Sequence, residues 1–212
     1  MKQPRYIILL LLATWLMGGL FSCSEVHEVN EYDNWKERND AYVDSLKQVA
    51  NSNLYSTGTD TIKIDQMSLG TLFGLQTAMS STEGLEYVYC KKLTSNPEGK
   101  HPLYNDYVTV YYCGSYINGY VFDSNFSGYV ATDKGTLDGN AKLPTISNTA
   151  MVGLVNSYIP GWITALQYMR VGERWLVYVP YFSGYGSSKN SSVLAYSTLI
   201  FDIIVKDASN HM

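Results

Sequence analysis

Apolar and polar residues alternate in several short runs after residue 84, which is typical of half-buried strands. A short helix is predicted at Ile163–Met169, opened by Pro160 and Gly161. This order of strands, one short helix and further strands indicates an α+β fold, with a mostly antiparallel sheet wrapped around one helix. The predicted strands are Leu85–Lys91, Tyr107–Cys113, Arg174–Val179 and Thr198–Val205.

The chain before residue 84 is less regular. Residues 33–51 have apolar side chains at helical spacing with charges between them, which predicts one amphipathic helix. We expect it to dock on the main domain or on a partner, because a single helix cannot bury its apolar face alone. Thr61–Ile64 alternates like a short strand, and glycines interrupt the rest of residues 52–82, where no further element is predicted.

The N-terminus has the pattern of an export signal. Two positive side chains precede an apolar run from Ile7 to Phe21. This run is shorter than the roughly 20 residues of a membrane span and is typical of a signal peptide. It ends at Leu20-Phe21-Ser22-Cys23, which resembles a bacterial lipoprotein box. We therefore predict a signal peptide at 1–22, lipidation of Cys23 and a location in the cell envelope at the outer membrane. The alternatives are an ordinary secretory signal and an uncleaved anchor.

Composition narrows the possible functions. The chain has 212 residues, 46% hydrophobic and 16% charged, so a packed core is expected. The formal charge is −4 and no basic stripe is present, so nucleic acid is not expected as a partner. The three histidines, at positions 27, 101 and 211, have no metal-ligand spacing, and neither a metal nor a cofactor is predicted. Cys90 and Cys113 could form a disulfide or remain separate buried thiols.

Five blocks in a fixed order make the sequence more specific. The blocks are Val108-Thr-Val-Tyr-Tyr-Cys-Gly114, Asn118-Gly-Tyr-Val-Phe-Asp-Ser124, Ile159-Pro-Gly-Trp-Ile-Thr-Ala-Leu-Gln-Tyr-Met-Arg-Val-Gly-Glu-Arg174, Pro180-Tyr-Phe-Ser-Gly-Tyr-Gly186 and Ser197-Thr-Leu-Ile-Phe-Asp202. Together they resemble the FK506-binding-protein (FKBP) family of peptidyl-prolyl cis/trans isomerases, over about residues 84–206.

The resemblance implies a pocket in which Trp162 is the floor beneath a proline ring. It further implies that the backbone N–H of Ile159 and the hydroxyl of Tyr185 donate to substrate carbonyl groups, and that Asp123 is a carboxylate of the pocket. The aromatic walls it implies are Tyr112, Phe122 and Phe201. Three further positions are predicted to contact substrate: Met151, Tyr158 and Val193.

Three features depart from the family pattern. Tyr158 replaces a smaller valine, both prolines usual in the loop at 187–196 are absent, and a polar, glycine-rich insertion occupies 125–150. Loops of this length are uncommon inside compact domains and are often functional. These changes affect the rim of the implied pocket, so altered specificity or slower turnover is expected.

The resemblance implies an isomerase that acts on X-Pro bonds of exported polypeptides without covalent chemistry, a cofactor or a metal. The alternative is an FKBP-like lipoprotein that binds polypeptides or assists assembly without catalysis. The chain resembles lipoproteins of this fold in Bacteroidetes-like bacteria, because it combines the lipoprotein box at Cys23 with the five family blocks. The predicted organisation is a signal peptide at 1–22, a tether and helical extension at 23–83, and an isomerase domain at 84–212.

Overall fold

The computed structural model describes residues 30–56, 58, 61–77, 86–125, 149–189 and 192–210. The described residues from Asn34 onward belong to one compact unit. The predicted signal peptide, Cys23 and most of the predicted insertion lie outside the described residues. Their assignments stay predictions.

The described strands form one sheet of eight strands. The order of the strands is β1-β2-β3-β7-β8-β4-β5, and the remaining strand, β6, pairs with β4. The β1–β2 pair is parallel and every other pair is antiparallel. The strands are β1 Leu54–Tyr55, β2 Leu72–Gln76, β3 Tyr87–Thr94, β4 Tyr107–Tyr116, β5 Val121–Ser124, β6 Met151–Leu154, β7 Arg174–Val179 and β8 Leu199–Ser209.

Three α-helices and two short 3-10 turns accompany the sheet in the described part of the chain. The α-helices are α1 Trp35–Ala50, α2 Thr61–Asp65 and α3 Pro160–Tyr168. The 3-10 turns are Val155–Ser157, directly before α3, and Tyr181–Ser183.

The two longer helices belong to different core clusters. Trp162, Leu166 and Met169, in and just after α3, are buried in the main cluster with alternate residues of the central strands. Leu46 and Ala50 of α1 are buried in a second cluster with other residues of β2, β3, β7 and β8. Because successive side chains of a strand point to opposite faces, these clusters place α3 and α1 on opposite faces of the sheet. The predicted α+β architecture is thereby confirmed, with α1 as an added layer.

Two local predictions before residue 84 were incorrect. Thr61–Ile64 forms helix α2 instead of a strand, and Leu72–Gln76 forms β2 where no element was predicted. An alternation over four residues is too short to distinguish a strand from one helical turn. In the structure, the buried ammonium of Lys92 donates to the carbonyl groups of Ile64 and Asp65 at the end of α2. Burial of four of the five β2 residues hid the alternation that would have identified the strand.

The strand β2 pairs along its whole length with β3, so the region before residue 84 contributes to the same sheet. The predicted boundary at residue 84 falls between these two strands.

Cys90 and Cys113 are both buried free thiols, which settles the question of their pairing. Burial raises the pKa of both thiols, so they stay protonated. None of the helices in the described ranges is both long and apolar enough to cross a membrane.

Candidate active site

A cavity of about 280 Å³ lies at the N-terminal end of helix α3. Residues of β4, β5, β6, β8, α3 and the turn before α3 line it, and it opens to solvent. Its lining residues are Tyr112, Phe122, Asp123, Met151, Ser157, Tyr158, Ile159, Trp162, Tyr185 and Phe201.

Gly114 in β4 allows the back wall of the cavity to form. It pairs with Asp123 of β5 on one side and with Phe201 of β8 on the other. A Cβ atom at this position would lie 2.7 Å from the ring of Phe122 and 2.8 Å from that of Phe201. Both rings therefore pack over the bare backbone of β4, with their centroids 5.7 Å apart.

The start of α3 sets the depth of the cavity. Ile159 is its extended N-cap and Pro160 follows at the first helical position, which proline favours because its fixed φ suits a helix and its missing N–H is not needed there. A Cβ on Gly161 would lie 2.5 Å from the side chain of Val179 and 3.1 Å from that of Val88, so this glycine brings α3 close to the sheet. Trp162 is consequently only 3% exposed and forms the floor.

The floor and walls form one aromatic cluster centred on Trp162. Its ring meets those of Tyr112 and Phe201 edge-on, at centroid distances of 5.4 and 5.2 Å. The ring of Tyr158 lies at 5.1 Å with a tilt of 48°. Edge-to-face arrangements suit aromatic quadrupoles and hold each ring in a defined orientation. The cavity is therefore a shaped apolar site.

The polar groups of the cavity are few. The hydroxyl of Tyr112 donates a hydrogen bond of 2.6 Å to Oδ2 of Asp123. Burial, and then the neighbouring Asp123, raise the pKa of Tyr112 and of Tyr185. Burial alone raises the pKa of Tyr158. All three phenols therefore stay protonated around neutral pH and can act as hydrogen-bond donors.

Two buried donors of the cavity lack a hydrogen-bond acceptor among the described residues: Nε1 of Trp162 and the hydroxyl of Tyr158. Buried polar atoms in native proteins nearly always have partners, so each unsatisfied group needs an explanation. Ile159 adds another available donor, because the first N–H groups of a helix have no acceptor within that helix. The site thus combines apolar walls with donors that could bind a carbonyl-rich ligand.

Nine of the ten residues predicted for the pocket line this one cavity. The exception is Val193, which is 4% exposed and lies in the main core cluster. Its neighbours explain this position, because the Tyr116 hydroxyl donates to the carbonyl of Ser192 and accepts from the N–H of Leu194. The residue that the sequence did not reveal is Ser157, in the 3-10 turn before α3. Serine in such a turn has no distinctive pattern.

No group of three or more His, Cys, Asp or Glu side chains within the described ranges could hold a metal ion. Asp123 is the carboxylate among the lining residues, and a single carboxylate is a poor cage for a hard cation. What the arrangement offers chemically is apolar enclosure and hydrogen-bond donation.

Comparisons with known proteins agree with this fold. The model of the FKBP-type peptidyl-prolyl cis-trans isomerase family matches residues 98–206. The chain therefore belongs to this family. A crystal structure of a peptidyl-prolyl cis-trans isomerase from Pseudomonas syringae is similar with a TM-score of 0.51 and 18% identity, and covers 85% of this chain and 97% of that one. At that identity the likeness shows the fold alone.

Two relatives illustrate the sequence similarity. The FKBP-type 22 kDa peptidyl-prolyl cis-trans isomerase of Escherichia coli is 35% identical over 127 residues, which cover 59% of this chain and 50% of the relative. The outer membrane protein MIP of Legionella longbeachae is 36% identical over 121 residues, covering 57% and 42%. The chain thus spans about half the length of these relatives.

Proposed function

We propose that this protein is a peptidyl-prolyl cis/trans isomerase that acts on X-Pro bonds of exported polypeptides. Family membership and the names of the relatives support the reaction type. The single observation that carries the proposal is the aromatic cavity itself, in which Trp162, Tyr112, Phe201 and Asp123 lie together as the family pattern implies.

The reaction needs no nucleophile. Rotation about an amide is opposed by a barrier of about 18–20 kcal/mol, because resonance between carbonyl and nitrogen must be lost. The twisted amide has less charge separation than the planar one, so an apolar cavity favours it. A hundred-thousand-fold acceleration requires about 7 kcal/mol of transition-state stabilisation. Enclosure in an apolar cavity and a few hydrogen bonds are the kinds of interaction that can supply this stabilisation.

Each lining residue has a role in this proposal. The proline ring of the substrate rests on Trp162, between the rings of Tyr112 and Phe201. The N–H of Ile159 and the protonated hydroxyl of Tyr185 donate to substrate carbonyl groups. Asp123 orients the Tyr112 hydroxyl through their 2.6 Å hydrogen bond and gives this side of the cavity a negative potential. Met151, Ser157 and Tyr158 contact the residues that flank the proline.

Isomerisation of X-Pro peptides by the full chain in mild detergent tests the proposal. We expect acceleration over the uncatalysed rate, and a loss of about tenfold or more in kcat/KM for Asp123→Ala and Tyr112→Ala. Lys63→Ala is the matched control, because this exposed side chain lies on helix α2, away from the lining residues. A folded wild type without acceleration would contradict the isomerase proposal.

The second candidate is a polypeptide-binding lipoprotein without catalysis. Tyr158 favours it, because a large ring lines the cavity where the family has a smaller residue. Calorimetric titration with proline-containing peptides distinguishes the two. Binding without acceleration supports the second candidate, whereas binding with acceleration supports the enzyme.

We further propose that the protein is a lipoprotein of Bacteroidetes-like type, anchored to the membrane of the cell envelope through lipid on Cys23 after removal of residues 1–22. The sequence pattern around Cys23 supports this, and one relative is named an outer membrane protein. In bacteria fed labelled palmitate, we expect label in the wild type and none in Cys23→Ala. An unlabelled wild type, or equal label in both, would exclude the anchor.

A further inference from the structure

Helix α1 lies outside the segment matched by the family model, yet its first turns contact the chain that leads into β8. The indole Nε1 of Trp35 donates a hydrogen bond of 3.0 Å to the hydroxyl of Ser197. The ammonium of Lys36 lies 5.5 Å from the ring centroid of Tyr196. These contacts join residues more than 150 positions apart.

Asn39 strengthens this attachment from inside the protein. Its side chain is fully buried and donates to the Trp35 carbonyl at 2.7 Å, while its amide oxygen accepts a 2.7 Å hydrogen bond from the Thr198 N–H. A buried amide with both ends satisfied holds its neighbours in one arrangement, because any displacement leaves a desolvated polar group without a partner. Asn39 therefore fixes the start of α1 to the residue before β8.

Trp35 also begins a continuous row of aromatic rings that ends in the cavity. It meets Tyr116 edge-on at 5.6 Å, and Tyr116 lies 5.0 Å from Phe122. Phe122 meets Phe201 at 5.7 Å, and Phe201 meets Trp162 at 5.2 Å. Close-packed rings have few alternative arrangements, so a displacement of the first ring is transmitted along the row.

The same contacts restrain the rim of the cavity. Tyr196 adopts a left-handed backbone conformation with φ of 56°, which is unfavourable for a tyrosine and persists only where surrounding contacts impose it. Its N–H donates to the carbonyl of Gly186, next to Tyr185 of the cavity, and its ring packs on Tyr181 at 5.2 Å. Lys36 of α1 lies over the ring of Tyr196.

From these contacts we infer that Trp35 and Asn39 are positioning residues for the cavity, so that the N-terminal helix sets which X-Pro sequences the site accepts. Neither residue lines the cavity. They act through the rings of Tyr116 and Phe122 on the wall, and through the segment before β8 on the rim that carries Tyr185. The inference rests on the proposed isomerase function for its kinetic test, and the geometry has a test of its own.

The kinetic test compares kcat/KM for a series of X-Pro peptides that differ in X, with the full chain. We expect Trp35→Ala to lower kcat/KM by about tenfold for some peptides and to change their order of preference, because small misplacements of a site have large effects on rate. Trp35→Phe keeps a ring against Tyr116 and loses the donor, so it should have a smaller effect. Ser197→Ala removes the acceptor and should match Trp35→Phe, and the double variant should be no worse than either.

Leu46→Ala is the matched control. It truncates a buried side chain of the same helix, but one that packs in the second cluster away from the cavity. We expect it to lower the free energy of unfolding without changing the order of preference. If Trp35→Ala does not fold, Trp35→Phe and Ser197→Ala decide the outcome, since each removes a single hydrogen bond.

The geometric test uses the indole N–H resonance of Trp162, whose chemical shift senses the surrounding rings. We expect Trp35→Ala and Asn39→Ala to shift this resonance, and Leu46→Ala to leave it unchanged. Folded Trp35 and Asn39 variants with an unchanged resonance would overturn the inference, even if the wild type is an active enzyme. If the wild type lacks activity but the Trp35 and Asn39 variants still shift the Trp162 resonance, the positioning role is supported and only the isomerase proposal is rejected.

Discussion

The two ends of helix α3 use polar groups in opposite ways. At the N-terminal end, the cavity leaves Nε1 of Trp162 and the Tyr158 hydroxyl without acceptors among the described residues. Just beyond the C-terminal end, the carboxylate of Glu173 is fully buried and accepts hydrogen bonds from the backbone N–H of Arg170 at 3.0 Å and from the indole of Trp175 at 2.9 Å.

Glu173 also forms an ion pair of 3.2 Å with the equally buried Lys92. The ammonium of Lys92 also donates hydrogen bonds to the carbonyl groups at the end of α2. Next to this pair, Arg170 binds Asp65 through two hydrogen bonds of 3.0 and 2.5 Å. Each of these four charged groups therefore has partners supplied by the protein, whereas Nε2 of the neighbouring His101, 3.5 Å from Asp65, has no hydrogen-bond partner among the described residues.

The difference shows how to separate structural from functional polar groups in one small domain. A buried charge with a complete set of partners stabilises the fold, and a ligand would have to replace those partners. A buried donor beside a cavity and without a partner is available to a ligand. The following changes test this distinction, from the largest expected effect to the smallest.

Glu173→Ala should give the largest effect, and on stability alone. It leaves Lys92 buried without its counter-charge and removes the acceptor of the Trp175 indole, so we expect a loss of about 3–5 kcal/mol in the free energy of unfolding. Urea unfolding measures it. Activity for each folded molecule should be retained, and a loss below about 1 kcal/mol would contradict the structural role of this network.

Gly153→Ala should act on the cavity instead. A Cβ at Gly153 in β6 would lie 2.4 Å from the hydroxyl oxygen of Tyr158, so the phenol must leave its place against β6. Because Tyr158 lines the cavity, its displacement should narrow the site and lower kcat/KM by about tenfold. The X-Pro isomerisation assay measures this loss.

Two variants control that prediction. Adding Tyr158→Val to Gly153→Ala should restore activity, since the smaller residue removes the clash. Gly74→Ala in β2 creates a similar clash, 2.6 Å from the side chain of Leu54, but away from the cavity, and should leave kcat/KM unchanged. A double variant that remains as slow as Gly153→Ala would be inconsistent with displacement of Tyr158.

Asp65 should make the C-terminal end sensitive to acid. Burial acts to raise the pKa of Asp65, but the hydrogen bonds from Arg170 and the nearby His101 outweigh it and hold the pKa below its ordinary value of 3.8. A carboxyl with a depressed pKa stabilises the fold above its unfolded pKa, and this contribution disappears as pH falls through the folded value.

We therefore expect the free energy of unfolding to decrease below about pH 4 and to level off at the lower pKa of the folded state. Urea unfolding between pH 2 and 6 measures this dependence. Asp65→Asn should be less stable near neutral pH and should have a flatter profile in acid. Identical profiles for the two proteins would show that Asp65 does not contribute.

Tyr158→Phe should give the smallest effect. It removes a buried hydroxyl that has no partner among the described residues, so the free energy of unfolding should be unchanged or higher by up to about 1 kcal/mol. A thermal unfolding curve measures the difference. A marked decrease in stability would mean that the hydroxyl has a structural partner, like the polar groups at the C-terminal end of α3.

The resemblance carried by the five sequence blocks implied the residues at the centre of the site. Trp162, Tyr112, Asp123 and Phe201 lie within blocks whose internal spacing is specific, and all of them line the cavity. It predicted the rim less well, because the loop at 187–196 departs from the family pattern. Val193 was placed there by its spacing, whereas the hydroxyl of Tyr116 holds the flanking backbone so that Val193 enters the core.

Local hydrophobic periodicity predicted the α+β class, the short helix α3 and the amphipathic α1, because a chain carries such a pattern in one dimension. The aromatic set of the cavity was implied by the resemblance of the five sequence blocks to a known family. The packing of Tyr158 over Gly153 and the docking of Trp35 and Asn39 on the segment before β8 were decided only in the tertiary structure. So was the pairing of Lys92 with Glu173. Each brings together groups whose separation along the chain has no periodicity, and their energies exist only once burial removes the competing water.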